Sequence, residues 1–387
     1  MIYWICFLLS CLFLYVGEKK KKNRIFLTSI GLLFPTLLAA FRSVDVGTDV
    51  RTYLLPIFNI ASSSSNCKEF LFRISMTAMD GRELGYCILI YLVTKLTYNI
   101  NIVFMVIELL LILPIIYSIN IFSKLKEISL MNFSKTTALL VYLAMFYNLY
   151  LSATRFGLAC SFSILSVIMF MAGKKGKSIL FGIIATSFHH SGIFVFVLLF
   201  LYHFCKNKYK TIIRIFIFWG IVFALFYEKL FPLVMKFFQQ FGLLSQKYIG
   251  WQSGTFYATA PGGVNVTVLI YTIYALLISL FLYRKDKNSI TRFLLITNIF
   301  MLCLTPFIAS YDNFGRINTY FRMFSIFILP MFLKINPFRI CQSVSKAKLA
   351  FICNFLFLLM YWIITYKITD FTNTSTYYFF WQKVLVI

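Results

Sequence analysis

The feature that most constrains this chain is the recurrence of long apolar segments along nearly its whole length. A transmembrane helix needs about 20 mostly apolar residues, with about 17 as the lower limit. Of the 387 residues, 60% are hydrophobic and 13% are charged, whereas soluble domains have about 25% charged residues. The sequence therefore predicts an all-α polytopic integral membrane protein, with a single transmembrane domain over residues 1–387.

Apolar segments that suggest membrane spans occur about twelve times. Their bounds are 2–17, 25–41, 102–120, 136–153, 155–172, 178–188, 191–205, 211–227, 265–283, 292–309, 317–333 and 349–366. Cytoplasmic loops of membrane proteins carry an excess of lysine and arginine. The basic runs that follow the first, fifth, seventh, ninth and eleventh segments should therefore be cytoplasmic. This orientation places both termini and the loops 42–83 and 228–264 outside.

Two segments do not form ordinary spans in this scheme. If segment 84–98 crossed the membrane, the basic run Lys174–Lys177 would lie outside, so 84–98 is predicted to be a short re-entrant or interfacial segment. The hairpin 178–205 is too short for two full crossings and has His189 and His190 at its tip. Both segments predict a polar cavity that opens on the outer face.

Composition also excludes several classes of function. The net charge of +25 does not indicate a nucleic-acid partner, because the basic residues lie in short runs between apolar segments, where they encode membrane orientation. The nine cysteines form no CxxC pair, and no Asp-x-Asp arrangement is present. The sequence therefore indicates neither a metal site nor a bound cofactor.

The first polar cluster follows directly on the second apolar segment. Arg42, Asp45, Asp49 and Arg51 surround a Gly47-Thr48 turn. Charged side chains at the end of a membrane helix are costly without a partner. The cluster indicates either one wall of a binding site or an interfacial cap with local ion pairs.

Arg155 is the most informative single residue. It lies between two apolar segments on the predicted outer side, where membrane orientation does not require a positive charge. A guanidinium at this depth should face a cavity and meet an anion such as phosphate or carboxylate. The alternative is an arginine whose side chain extends to the membrane interface.

Several other polar side chains lie on the same predicted side. Glu83 precedes segment 84–98, and either it or a histidine of the hairpin tip could take a proton from a hydroxyl group. Arg316 and Tyr320 are four residues apart in a second outer cluster, 312–322, and would share a helix face. Glu108 lies inside an apolar segment, where it either pairs with an arginine or makes only a local polar contact.

The order of five short motifs is the most specific signal in the sequence. These are Phe41-Arg42…Val46-Gly47-Thr48-Asp49…Tyr53, Glu83-x-Gly85-Tyr86, Arg155-x-x-Leu158-Ala159, Phe188-His189-x-Ser191 and Arg316…Tyr320-Phe321 ahead of Leu329-Pro330. Over roughly residues 25–335 the chain resembles the EpsG family of Wzy-like polysaccharide polymerases. The last 50 residues and the loop 228–264 carry no matching motif.

The resemblance implies a glycosyltransferase of the bacterial inner membrane whose active site faces the exterior. Its substrates would be undecaprenyl-pyrophosphate-linked oligosaccharides, polymerised into O-antigen, capsule or exopolysaccharide. Its partners would be membrane lipids, a flippase and a chain-length regulator, with no cofactor. The residues predicted to bind the pyrophosphate are Arg42, Arg155, Arg316 and Tyr320. The proton acceptor is predicted among His189, Asp49 and Glu83.

Three other activities stay open at this point. An O-antigen ligase would use outer-face arginines in the same way. A repeat-unit flippase should show internal repeats and cationic residues in both halves, whereas here no repeat is evident and the charge is one-sided. A membrane acyltransferase that modifies surface sugars could use the two histidines.

Overall fold

The computed structural model describes residues 2–77, 83–129, 133–207, 266–308, 312–332, 344–369 and 372–382, together with single positions between 211 and 226. These residues are mainly helical and include no strand, apart from one isolated bridge between Arg42 and Phe379. The predicted all-α class is therefore confirmed for them. The outer loop 228–264 and most of the predicted span 211–227 lie outside the described residues.

Seventeen α-helices are described here, numbered in chain order. They are α1 (Ile2–Lys19), α2 (Arg24–Ala40), α3 (Leu55–Ser63), α4 (Cys67–Ser75), α5 (Leu84–Leu96), α6 (Ile100–Phe122), α7 (Lys126–Ser129), α8 (Lys135–Tyr142), α9 (Asn148–Ser152), α10 (Thr154–Met171), α11 (Lys175–Phe188), α12 (Phe194–Lys206), α13 (Val266–Lys285), α14 (Ser289–Ile308), α15 (Asp312–Arg322), α16 (Ser325–Phe332) and α17 (Val344–Trp362). Short π-helical segments occupy Val50–Leu54, Leu143–Tyr147 and Ile363–Ile368. A 3₁₀ turn covers His190–Ile193.

The chain divides into two compact units. The first unit contains residues 1–199 and 325–387, and the second contains residues 200–324. In the first unit α2 packs on α1 and α6, and α10 packs on α6 and α11. The second unit contains α13, α14 and α15, with α14 packed on both of the others. That residues 1–387 form one transmembrane domain stays a prediction.

Among the residues that the structure describes, four helices are long and apolar enough to cross a membrane. They are α1, α6, α10 and residues Thr267–Lys285 of α13. The larger number of about twelve is not confirmed, because several predicted spans are interrupted. The predicted span 136–153 consists of α8, a π-helical segment and α9, and the predicted span 317–333 is divided between α15 and α16 at Met323–Phe324.

Helix α1 illustrates why this protein belongs in a membrane. Its inward face buries Tyr3, Phe7 and Leu14. Its outward face exposes large apolar side chains at helical spacing: Ile5, Leu8, Leu12 and Tyr15. An apolar stripe along a helix is stable in contact with lipid but unfavourable in water.

The lysine-rich turns after α1 and α10 lie at one end of the first unit. The loop that holds Asp45 and Asp49 lies at the other end. At one end, the turn between α1 and α2 meets the α6–α8 connection, where the side chains of Arg24 and Lys135 both donate to Asn120 Oδ1, at 2.7 Å and 3.1 Å. The other end is formed by the end of α2, the start of α10 and the tip of the α11–α12 hairpin. Which of the two ends faces the cytoplasm stays a prediction.

The predicted outer loop 42–83 is largely helical, since it contains a π-helical segment, α3 and α4. Helix α5 follows it, and both ends of α5 lie at the same end of the first unit. Its start approaches the α11–α12 tip through Glu83 and His189. Beyond its end, Asn101 donates to the carbonyl of Ala40, where α2 ends, at 2.7 Å. That segment 84–98 does not cross the membrane stays a prediction.

Residues 372–382, the C-terminal strap, pack on the end of α2 and the start of α1. The Tyr3 hydroxyl donates to the Thr374 carbonyl at 2.9 Å, and the Tyr377 hydroxyl donates to the Leu38 carbonyl at 2.6 Å. The amide of Ser43 donates to the Tyr378 carbonyl at 2.8 Å. The strap therefore places both ends of the described chain beside the Arg42 turn.

Candidate functional site

The turn after α2 is fixed by close contact with the connection between α9 and α10. Gly47 has a φ of +95°, and a Cβ atom there would lie 2.6 Å from the Leu151 carbonyl oxygen. The Thr48 amide and hydroxyl both approach Ser152 Oγ, at 3.2 Å and 3.0 Å. Only glycine combines this backbone conformation with so close an approach. The turn therefore holds the α9–α10 connection, and through it the start of α10.

The α9–α10 connection presents Arg155 at the second residue of α10. Ala153 interrupts the helix with a φ of −110° and a ψ of 68°. The hydroxyl of Thr154, the next residue, forms a 2.8 Å hydrogen bond with the hydroxyl of Tyr86 in α5. Arg155 is thereby directed to the space between the Gly47 turn and the start of α5, and it is buried there.

Two carboxylates from distant parts of the chain converge on Arg155. Its Nε lies 3.4 Å from Asp49 Oδ2, and its Nη1 donates to Glu83 Oε2. The face of the guanidinium lies over the ring of Tyr53, with Cζ at 3.4 Å from the ring centroid. Cation–π contact of this kind strengthens when the site is shielded from water. Asp49, Tyr53, Glu83 and Arg155 thus form one cluster, which we call the Arg155 cluster.

His189 adds an imidazole to this cluster. Its Nε2 lies 3.6 Å from Glu83 Oε1, on the carboxylate oxygen that Arg155 does not use. Its Nδ1 accepts from the Ser191 amide at 3.1 Å and contacts the Ser191 hydroxyl at 2.7 Å. The ring also packs edge-on against Phe156, with centroids 5.7 Å apart. The structure therefore brings all three predicted proton acceptors around one arginine.

Burial perturbs the Glu83 carboxyl within this cluster. Burial raises the pKa of Glu83 above its ordinary value, and the charge of Arg155 opposes this effect without cancelling it. A carboxylate with a raised pKa is a stronger base than an ordinary glutamate. With both carboxylates ionised and His189 neutral, the three charged members of the cluster carry a net charge of −1, since one arginine faces two acids.

Arg42 is buried, and its predicted contact with pyrophosphate stays a prediction. It is 2% exposed, its Nη1 donates to the Leu151 carbonyl at 2.6 Å, and its guanidinium lies 4.4 Å from the Phe104 ring centroid. Burial lowers the pKa of Arg42, while the charge of Glu108 acts in the opposite direction. The charged group thus points into the protein rather than towards a substrate. This geometry favours a positioning role over the predicted contact with pyrophosphate.

A lysine substitution separates these two roles of Arg42. We expect Arg42→Lys to keep the charge but lose the fork that reaches both Leu151 and Phe104. The melting temperature of the purified protein should then fall by a few degrees, and activity per folded molecule should stay near the wild-type value. Arg24→Lys at the opposite end is the control. A loss of turnover without a loss of thermal stability would restore the predicted pyrophosphate contact.

Arg316 and Tyr320 lie in α15 of the second unit. Arg316 is exposed, whereas Tyr320 is only 1% exposed. Although four residues apart, they therefore differ in access to solvent, because α15 is amphipathic and turns one side towards α14. Their predicted contact with pyrophosphate stays a prediction. Within the described parts of both units, no group of three or more His, Cys, Asp or Glu residues forms a metal-binding arrangement.

Tyr53 and Ser191 belong to the sequence motifs, but the motifs alone indicate no role for them. Tyr53 is four residues after Asp49, so a helical turn brings both to Arg155. Ser191 is two residues after His189, the spacing at which a capping side chain meets a backbone amide. The C-terminal strap carries no local signal, since its role depends on contacts with residues more than 300 positions earlier.

Comparison with known proteins gives one match. The model of a family described as the EpsG family matches residues 25–381. None of the curated proteins and none of the solved structures matches the chain. The family match includes every member of the Arg155 cluster. It also extends beyond residue 335, where the motifs end, through nearly all of the C-terminal strap.

Proposed function

Because the chain belongs to the EpsG family of Wzy-like polymerases, we propose that it joins oligosaccharide repeat units carried on undecaprenyl pyrophosphate. The reaction takes place at the outer leaflet of a bacterial inner membrane, in a protein of about twelve crossings. The observation that carries this proposal is the buried Arg155 cluster. It combines a guanidinium, two carboxylates and an imidazole at the end of the first unit opposite its lysine-rich turns.

The cluster suits the transfer of a growing chain to a sugar hydroxyl. The acceptor oxygen attacks the anomeric carbon of the growing chain, and the bond from that carbon to the pyrophosphate breaks. The hydroxyl proton passes to Glu83, and undecaprenyl pyrophosphate leaves with the electron pair of the broken bond. Burial favours this proton transfer, because it raises the pKa of the Glu83 carboxyl.

Proton transfer also changes the charge that the leaving group meets. Before reaction, the negative charges of Asp49 and Glu83 outweigh the positive charge of Arg155. Once Glu83 is protonated, only Asp49 still opposes Arg155, and the local charge rises from −1 to zero. Repulsion of the departing pyrophosphate is then at its weakest when its negative charge develops.

The test is to delete the coding sequence and restore it with either the wild-type chain or Glu83→Gln. We expect the deletion strain and Glu83→Gln to make only single-repeat surface glycan, while the wild type restores long chains. Glu69→Gln is the matched control, because Glu69 lies in the same outer region but is not part of the cluster. In membrane vesicles, wild-type activity should fall as the pH drops through a value above the ordinary glutamate pKa of about 4.3.

The same strains distinguish other activities. Repeat units that accumulate on the cytoplasmic side of the membrane in the deletion strain would indicate that the protein is a flippase rather than a polymerase. Long free chains that fail to reach their final acceptor would indicate a ligase. Normal glycan length with loss of a sugar substituent would indicate an acyltransferase. Full-length chains from Glu83→Gln would exclude Glu83 as the base while leaving the polymerase itself in place.

A further inference from the structure

His189 ends α11 and caps the 3₁₀ turn that follows, and this position fixes what its ring can do. The backbone amide of Ser191 points at His189 Nδ1 from 3.1 Å. A peptide amide is always a donor, and the direction of its hydrogen is set by the planar backbone. Nδ1 must therefore be an acceptor. The Ser191 hydroxyl, 2.7 Å from the same nitrogen, then donates as well.

This capping interaction determines the tautomer of the ring. A neutral imidazole carries one hydrogen, and the nitrogen that accepts a hydrogen bond leaves that hydrogen on the other. With Nδ1 accepting, the hydrogen lies on Nε2. Nε2 in turn faces Glu83 Oε1 at 3.6 Å. At 3.6 Å this hydrogen faces the carboxylate as an electrostatic contact longer than a hydrogen bond, and it leaves no lone pair on Nε2 to accept a proton from a sugar.

We propose that His189 is a positioning residue that orients Glu83 through Nε2–H, and that Ser191 fixes its tautomer. The inference rests on the proposed polymerase function and assigns the roles within its site. Glu83 then accepts a hydrogen bond from Arg155 on one oxygen, and its other oxygen faces the Nε2–H of His189 at 3.6 Å. Glu83, which contacts the reacting hydroxyl, is the catalytic base. The capping contact also requires His189 rather than its neighbour His190, because His190 is already inside the 3₁₀ turn.

The tautomer is measured directly by nitrogen NMR of imidazole-labelled protein in detergent. The chain has only three histidines, and His190→Ala and His203→Ala assign the remaining signal. We expect the His189 signals to show a protonated Nε2 and an unprotonated Nδ1. A ring protonated on Nδ1 would overturn the inference. Because this measurement needs no substrate, it stands whether or not the chain polymerises glycan.

Substitutions at position 189 then distinguish whether His189 acts through its N–H group or as a base. Glutamine at position 189 places an amide N–H at about the reach of Nε2, but it has no basic nitrogen. We expect His189→Gln to retain at least about tenfold more polymerisation than His189→Ala. Equal loss in both variants, with wild-type chains still formed, would overturn the donor role. If the wild type itself formed no polymer, the proposed function would fail instead.

The contribution of the Ser191 hydroxyl is tested by a conservative pair. Loss of one neutral hydrogen bond corresponds to a change of about fivefold. We therefore expect Ser191→Ala to lower polymerisation by about that factor, and Ser191→Thr, which keeps the hydroxyl, to restore it. The acidic limb of the pH profile should shift in Ser191→Ala, because Glu83 is less firmly hydrogen-bonded. An unchanged rate and pH profile in Ser191→Ala would remove Ser191 from the site.

Discussion

Replacing Arg155 with alanine is expected to abolish long glycan chains, while single repeat units still reach the cell surface. The substitution leaves Asp49 and Glu83 close together without the guanidinium that separates their charges. One carboxyl must then become protonated, because two like charges in a buried site cannot both be ionised cheaply. The base is lost, and so is the charge that faces the leaving group. Loss of such a charge typically lowers the rate by about 100-fold to 1000-fold.

Arg155→Lys should fail nearly as completely as Arg155→Ala. The two carboxylates bind different nitrogens of the guanidinium, Nε and Nη1, and a single ammonium group cannot occupy both positions. Arg73→Ala is the matched control, since Arg73 lies in outer helix α4, half-exposed, beside Glu69. Surface glycan is sized by gel electrophoresis, with the protein level measured in the same cells. Chains of normal length from Arg155→Ala would refute the role assigned to this cluster.

The second large effect is expected from Gly47→Ala. An alanine must adopt a φ of +95°, which costs roughly 1–2 kcal/mol for a residue with a Cβ atom. Its Cβ would also lie 2.6 Å from the Leu151 carbonyl oxygen and 2.9 Å from Ser152 Cα. Both are backbone atoms, so the Gly47 turn must move away from the α9–α10 connection. We expect a melting temperature several degrees lower and a loss of long glycan, because Asp49 no longer reaches Arg155.

Gly173→Ala is a close control for this substitution. Gly173 also has a positive φ, +78°, but no heavy atom would lie within 4 Å of a Cβ there. It therefore carries the conformational cost without the close approach. The difference between the two variants, in melting temperature and in glycan length, isolates the contact between the turn and Leu151. Equal behaviour of the two variants would mean that this contact is not needed.

Much of the helical class and of the site follows from the sequence, because the signals are local or carry a charge cost. Apolar runs predict helices wherever they occur. Arg155 attracts attention because a guanidinium among apolar residues needs a partner. The motifs also predict the family, which the match over residues 25–381 confirms. The motifs do not show which anion Arg155 contacts, because Asp49 and Glu83 approach it only after folding.

Arg42 shows the opposite case. From the sequence it resembles Arg155, as an arginine at the end of an apolar segment. In the structure its neighbours are the Leu151 carbonyl and the Phe104 ring, more than 60 positions away. Nothing in the residues around Arg42 indicates either neighbour. The choice between a substrate contact and an internal contact was therefore set by tertiary packing, which local pattern does not encode.

The C-terminal strap also has a consequence for the order in which parts of the protein fold. Ser43 lies just after α2, but its amide bonds to the carbonyl of Tyr378, more than 300 positions later in the chain. The turn that supports Arg155 thus lacks one of its hydrogen bonds until the strap has docked. A loop closed over so many residues forms late in folding. The helices of the first unit can therefore pack before the strap fixes the turn that supports Arg155.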